Sequence, residues 1–172
     1  MTDLTIDYDR IARRLLRAER MPLDGMAPLA EVLRVARPLQ LEAGAVVVRE
    51  GDTARELLVV ARGSVLVRLK DASGEVTRVA TLQAPLLLGH VAIVDDGARS
   101  ATCEMATDGL VLSLPRRQVG DVLHSTSRGA EVMRDLLLAG MFRQLDQASA
   151  RLRAYLQEHP EERVELRDRK RQ

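Results

Sequence analysis

Aromatic side chains are almost absent from this chain of 172 residues, which has two tyrosines, one phenylalanine and no tryptophan. Apolar residues nevertheless make up 46% of it, so leucine, valine and alanine must fill the core. A chain of this length can bury one substantial core with some additional helix, but not two ordinary domains. Because 26 basic residues nearly balance 25 acidic ones, the net charge indicates no general attraction to nucleic acid or to an anionic membrane.

Long apolar runs and targeting segments are also missing. No stretch approaches the ~20 apolar residues of a membrane-spanning helix, and nothing resembles a signal peptide, so we expect a cytoplasmic protein without a membrane span. Cys103 is the only cysteine, which excludes an internal disulfide and a cysteine-based metal site. Its strand-like surroundings predict a buried structural thiol.

The N-terminal extension, residues 1–26, is predicted to be helical because Tyr8, Ile11, Leu15 and Leu16 recur at helical spacing. Its arginine-rich opposite face would also suit a membrane surface. Two turns of weak apolar face more often pack on the parent domain, and we expect packing. A second short helix, APLAEVLRVA, is predicted to stop before a proline.

Short β-branched and aliphatic runs follow, several of them alternating with a period of two. These runs are AVVVRE, ELLVVARG, SVLVRLK, EVTRVATL, SATCEMAT and LVLSLPR. Glycine and aspartate turns separate them, and no helix lies between them. The predicted fold class is therefore mainly β with flanking helices, an antiparallel jelly-roll β-barrel (a double-stranded β-helix) rather than a parallel sheet.

Catalytic and metal-binding motifs are absent as well. Barrels of this shape occur in metal-dependent cupins, whose ions need two or three histidines and a carboxylate from neighbouring strands. The chain has only His90, His124 and His159, and the last two fall in or beyond the predicted helices. No nucleophile-elbow or phosphate-loop motif occurs. We therefore predict a protein that is not an enzyme and that has neither a metal nor a cofactor.

One long helix is predicted near the C-terminus, where residues 128–157 contain no proline. Apolar residues step along it by three or four: Met133, Leu137, Met141, Leu145, Ala148, Leu152 and Tyr155. A helix of ~45 Å with such a seam exceeds what one small barrel covers, so we predict a homodimer formed through it. The alternative is a helix lying along its own barrel. The charged tail, residues 158–172, is expected to be disordered.

The stretch LLLGHVAIVDDGARSATCE, residues 86–104, combines features of an anion-binding loop. Gly89 allows a positive φ or a close approach of the backbone to a ligand. The segment HVAIV can form one helical turn whose free N–H groups face an anion. Arg99 offers a planar guanidinium that matches phosphate oxygens.

Helices, a barrel, a short helix and one long helix form the plan of the cyclic nucleotide-binding domain, the sensor of catabolite activator proteins and of protein kinase A regulatory subunits. LEAGAVVVREGDTARELLVVARGSVLVRL resembles the opening strands of that family, and LLLGHVAIVDDGARSAT resembles its phosphate-binding cassette. The resemblance covers roughly residues 27–157. It implies a non-enzymatic sensor whose ligand-binding residues are Gly89, His90, Val91, Ala92, Arg99, Ser100 and Ala101. It further implies a purine lid on the long helix, at Gln144 and Leu145.

Four residues depart from the family pattern. His90 stands where the family has a glutamate that accepts a hydrogen bond from the ribose 2′-hydroxyl. A neutral imidazole can accept one hydrogen bond, but it lacks the charge that makes a carboxylate contact roughly twice as strong. Gly140 aligns loosely with a basic residue that holds the glutamate in some members, and Pro85–Leu86 replace a frequent Gly-Asp.

Two functions of different class follow. One is a dimeric regulator that binds a cyclic nucleotide and signals through the long helix to a separate protein partner. The other is a degenerate copy of the fold that serves as a nucleotide-independent dimerisation or docking module. Only about 15 mostly charged residues follow the long helix, so we expect a stand-alone sensor without a helix-turn-helix domain and without direct DNA binding.

Overall fold

The computed structural model describes residues 5–70, 73–95 and 97–159. Its helices are α1 (Tyr8–Ala18), α2 (Met26–Arg34), α3 (His90–Val94), α4 (Arg116–His124) and α5 (Arg128–Glu158). Its strands are β1 (Arg37–Leu41), β2 (Val46–Val48), β3 (Glu56–Arg62), β4 (Ser64–Lys70), β5 (Val76–Gln83), β6 (Leu86–Leu88), β7 (Thr102–Met105) and β8 (Gly109–Pro115). The predicted charged tail lies outside the described residues from position 160 onward.

The strands form two antiparallel sheets of four strands each. One sheet has the order β1-β8-β3-β6 and the other has the order β2-β7-β4-β5. Side chains from both sheets share one core, among them Leu58 and Val111 from the first sheet and Val65 and Met105 from the second. The predicted antiparallel jelly-roll barrel with flanking helices is confirmed.

Strand β3 is buried on both faces, which explains why its sequence ELLVVAR shows little alternation. Leu58 and Val60 point into the core between the sheets. Leu57 and Val59 point the other way, into a second core that the helices cover. The same strand therefore forms part of the wall of both cores.

The N-terminal helix packs on the domain, as predicted. Ile11, Ala12, Leu15 and Leu16 are buried in the helix-covered core. Asp7 caps the helix, because its side chain accepts a hydrogen bond of 2.8 Å from the N–H of Arg10. The arginine-rich face of α1 is exposed to solvent.

Two strands were not among the predicted runs, namely β1 and the short strand β6. Strand β1 contains Pro38, which had indicated only the end of the preceding helix. Because β1 pairs with β8 alone and lies at the edge of its sheet, a residue without an N–H donor is tolerated there.

Helix α5 divides into two halves with different surroundings. Its first half is buried through Val132, Met133, Leu136 and Leu137, so the beginning of the predicted dimer seam belongs to the core of the chain itself. Gly129 allows α5 to pass close to α2, since a Cβ there would lie 2.6 Å from a backbone carbonyl oxygen. From Leu138 onward, the helix carries exposed apolar side chains: Leu138, Phe142, Leu145, Leu152 and Tyr155.

Candidate functional site

The turn between β6 and α3 depends on two residues that fit into each other. Gly89 adopts a left-handed conformation with φ 76°, which favours glycine. A Cβ at this position would lie only 1.4 Å from Nη1 of Arg99. Position 89 therefore requires glycine for two reasons: the backbone angle, and the space that the Arg99 guanidinium occupies.

Arg99 is held in place through both its backbone and its side chain. Its N–H donates to the Asp52 carbonyl at 2.8 Å, and its own carbonyl accepts from the Gly51 N–H at 2.9 Å. Its Nη2 donates to the carbonyl of Glu56, the first residue of β3, at 2.6 Å. These contacts fix the guanidinium against the turn at Gly89.

The Nη1 nitrogen of that guanidinium has no hydrogen-bond partner among the described residues. Arg99 is only 6% exposed, and its Nη1 is buried without a hydrogen bond to any described residue. Burial lowers the pKa of Arg99, while the charges of the nearby Glu56 and Asp52 carboxylates oppose this effect. A buried charged donor without an acceptor costs about 1–3 kcal/mol or more, so the site favours an anion that would supply the acceptor.

Arg99 forms part of the wall of a cavity of about 510 Å³, open to solvent on one side, between the barrel and the second half of α5. Val48, Val67, Leu82 and Cys103 contribute the barrel wall. Cys103 is buried as predicted, and burial raises the pKa of its thiol to about 11, so the sulfur stays protonated near neutral pH. The volume lies within the range of small-molecule sites, roughly 300–1,000 Å³.

Nearly all of the residues predicted for the site line this cavity: Gly89, His90, Val91, Ala92, Arg99, Ser100, Ala101 and Gln144. Leu145 is the exception. It is 62% exposed, and it does not line the cavity, because a step of one residue turns the side chain by about 100° around a helix. The assignment of Leu145 to a lid over a bound ligand stays a prediction.

His90 occupies the end of the cavity next to α5. A Cβ on Gly140 would lie 3.5 Å from the His90 Nε2 atom, which is an ordinary van der Waals contact, so position 140 faces the imidazole ring directly. Both ring nitrogens are buried, and neither makes a hydrogen bond of ordinary geometry to a described residue, although the Gly140 backbone and the Gln144 side chain lie next to the ring. Burial, followed by the Arg143 guanidinium, lowers the pKa of His90, although the Gly140 backbone and the Gln144 side chain oppose this. The imidazole is therefore neutral at pH 7.

The cavity thus has two ends with different chemistry. We call Gly89 and Arg99 the arginine end, and His90 and Gly140 the histidine end. Three further polar side chains of α5 line the cavity beyond the histidine end: Arg143, Gln147 and Arg151. These three were not predicted as site residues, although steps of three and four residues from Gly140 place them on one helix face.

A family model of the cyclic nucleotide-binding domain matches residues 38–126, just over half of the chain. This chain belongs to the cyclic nucleotide-binding domain family. The resemblance stated from the two motifs is thereby confirmed. The matched residues contain the barrel and the turn with Gly89 and Arg99, and they end before α5 begins.

Other cyclic nucleotide-binding domain proteins are similar over part or all of this region. A cyclic nucleotide-gated potassium channel of Rhizobium etli is 34% identical over 90 residues, which are 52% of this chain and 24% of the channel. The chain therefore spans about a quarter of the length of that curated relative. Among the residues that the structure describes, no helix is long and apolar enough to cross a membrane.

Solved structures agree on the fold. The catabolite activator protein of Thermus thermophilus has a TM-score of 0.66 and 23% identity, covering 75% of this chain and 59% of that one. A cyclic nucleotide-binding-like protein of Brucella abortus has a TM-score of 0.53 and 20% identity, covering 70% of this chain and all of that one. At these identities the likeness concerns the fold.

Proposed function

We propose that this chain is a non-enzymatic sensor that binds a cyclic nucleotide in the cavity, works without a cofactor, and reports binding through α5 to a separate protein partner. The observation that carries the proposal is the buried Nη1 of Arg99, which has no acceptor among the described residues. A cyclic phosphodiester would supply that acceptor and a compensating negative charge.

The backbone around the turn supports the same ligand class. Val91 and Ala92 lie in the first turn of α3 and line the cavity, where N–H groups without helical partners can approach an anion. Gln144 also lines the cavity from α5, and its amide can both donate to and accept from the edge of a purine.

The second half of α5 supports a homodimer. Leu138, Leu145 and Leu152 are exposed and recur every seven residues, with Phe142 beside them. Such a stripe pairs with the same stripe of another copy in two-stranded coiled coils. Ligand binding would then act by population shift, because a ligand that contacts both barrel and α5 favours one position of that helix.

A nucleotide-independent docking module is the second candidate, and the histidine end favours it. His90 brings no carboxylate to the position from which a ribose hydroxyl would be recognised, and it faces Gly140 rather than a basic side chain. A site that lost its ligand would tolerate both changes.

Thermal unfolding with cAMP, cGMP and cyclic dinucleotides distinguishes the two candidates. A ligand at 100 times its Kd stabilises the native state by about 2.7 kcal/mol. We expect such a shift in the wild type, its loss in Arg99→Ala and Arg99→Lys, and its retention in Arg117→Ala, which changes an exposed arginine outside the cavity. Arg99→Lys keeps the charge without the planar fork and guards against a folding defect. No shift at millimolar ligand would favour the docking module.

A further inference from the structure

The charged side chains that line the cavity all have the same sign. Arg99, Arg143 and Arg151 line it, and among the described residues no carboxylate does. The position where the family carries a glutamate holds a neutral imidazole instead. A cyclic mononucleotide brings a single negative charge, so the lining offers more positive charge than such a ligand can use.

The arginines differ in how their charge is compensated. Arg99 has Glu56 and Asp52 behind it, and both stabilise its charged form. Arg143 is compensated from outside the cavity, because its Nη2 lies 2.5 Å from the Oε1 atom of Glu19. Arg143 is half-exposed, and it acts electrostatically on His90.

Glu19 is an unusual partner for a solvent-facing arginine. Its side chain is only 5% exposed, and burial raises its pKa while Arg143 opposes this. It follows the last residue of α1, and Arg143 also donates to the carbonyl of Ala18 at 3.4 Å. The Glu19 carboxylate therefore holds the Arg143 guanidinium at the cavity. An anion bound inside the cavity could share that guanidinium with Glu19 or take the place of Glu19.

We propose that Arg143 is a second anion-binding residue, and that the cavity selects a nucleotide with two anionic groups, one at Arg99 and the other on the 2′ side of the ribose. This inference rests on the proposed function, since it assumes that a cyclic nucleotide enters with its ribose toward the histidine end. Glu19 competes with the second anionic group for the guanidinium. Guanidinium and phosphate or carboxylate groups match as paired hydrogen bonds.

Two cAMP derivatives of similar size provide the test. The 2′-O-succinyl derivative ends in a carboxylate, whereas the 2′-O-butyryl derivative ends in a methyl group. We expect the wild type to bind the succinyl derivative at least about tenfold more tightly in isothermal titration calorimetry, which corresponds to about 1.4 kcal/mol. The ratio of the two dissociation constants reports only the contribution of the second anionic group, because both derivatives carry the same phosphodiester.

Variants then assign the preference to Arg143. Arg143→Gln should abolish the ratio, whereas Glu19→Gln should increase it, because the guanidinium loses its competitor. Arg153→Gln should leave it unchanged, since this exposed arginine of the same helix does not line the cavity. If Arg143 only ties α1 to α5, the first two variants will lower the Tm alike and leave the ratio at its wild-type value, which would overturn the inference.

The wild-type measurement separates this inference from the proposed function. Binding of cAMP together with equal affinity for the two derivatives would overturn the role of Arg143 and leave the sensor function standing. If neither cAMP nor either derivative binds, both proposals are wrong.

Discussion

The two ends of the cavity meet at neighbouring residues of the chain, Gly89 and His90, yet they are built in different ways. At the arginine end, the Arg99 guanidinium occupies the space that Gly89 leaves free, and its Nη2 donates a hydrogen bond to the backbone of β3. At the histidine end, two buried ring nitrogens have no hydrogen bond of ordinary geometry to any described residue, and a glycine faces the ring. The comparison shows that several backbone and side-chain contacts hold the arginine end in place, whereas the described residues provide no such hydrogen bonds at the histidine end.

Gly89→Ala should have the largest effect on stability and on binding, because it disrupts the arginine end in two ways. The alanine must adopt a φ of 76° and its Cβ must expel the Arg99 guanidinium. We expect a loss of about 2–4 kcal/mol in the free energy of unfolding and no cyclic nucleotide binding. Urea denaturation and calorimetry measure the two losses.

Gly120→Ala is the matched control for that variant. Gly120 lies inside α4, and a Cβ added there would meet nothing within 4 Å, so alanine should stabilise the protein by up to about 1 kcal/mol. Equal losses in the two variants would show that the turn has no special role.

His90→Glu, at the histidine end, should have a smaller effect, and it should strengthen cyclic nucleotide binding rather than weaken it. A carboxylate accepts a hydrogen bond from a ribose hydroxyl more strongly than a neutral imidazole does, and we expect cAMP or cGMP to bind about five- to tenfold more tightly. His90→Gln, which adds no charge, should show no such gain in calorimetry. An unchanged affinity in His90→Glu would count against a ribose contact at this position.

The smallest predicted effect is a pH dependence of stability from His90. Burial and then the Arg143 guanidinium hold its pKa below the unfolded value of about 6.5. Between these two pKa values the unfolded chain binds more protons, so this contribution to stability is complete above about pH 6.5 and is lost as the pH falls toward the native pKa. The slope should stay below about 1.4 kcal/mol per pH unit.

Urea unfolding of the wild type and of His90→Gln, from about pH 7.5 to about pH 5, isolates this contribution. Glu19, whose pKa is raised by burial, contributes with the opposite sign at lower pH in both proteins. Superimposable pH profiles would mean that the native imidazole titrates as it does in the unfolded chain.

The sequence predicted those parts of the molecule whose determinants are local. Alternating strands and the Gly89-to-Arg99 spacing are patterns within a few residues, and both led to the observed barrel and to the arginine end. The position of Leu145 outside the cavity wall could not be predicted, because the rotation of α5 about its axis is fixed by packing of Val132 and Leu136, two turns or more away. The pair of Glu19 and Arg143 joins residues 124 positions apart, and no local pattern indicates it.

Strand β3 gives the barrel and the helices a common wall. Its first carbonyl accepts the hydrogen bond from Arg99, and its side chains then alternate between the inner core and the helix-covered core. The two cores are therefore separated at this point by the backbone of a single strand. Arg99 is bonded to the strand that separates the inner core from the core covered by helices α1, α2 and α5, so a substitution in β3 would alter both cores at once.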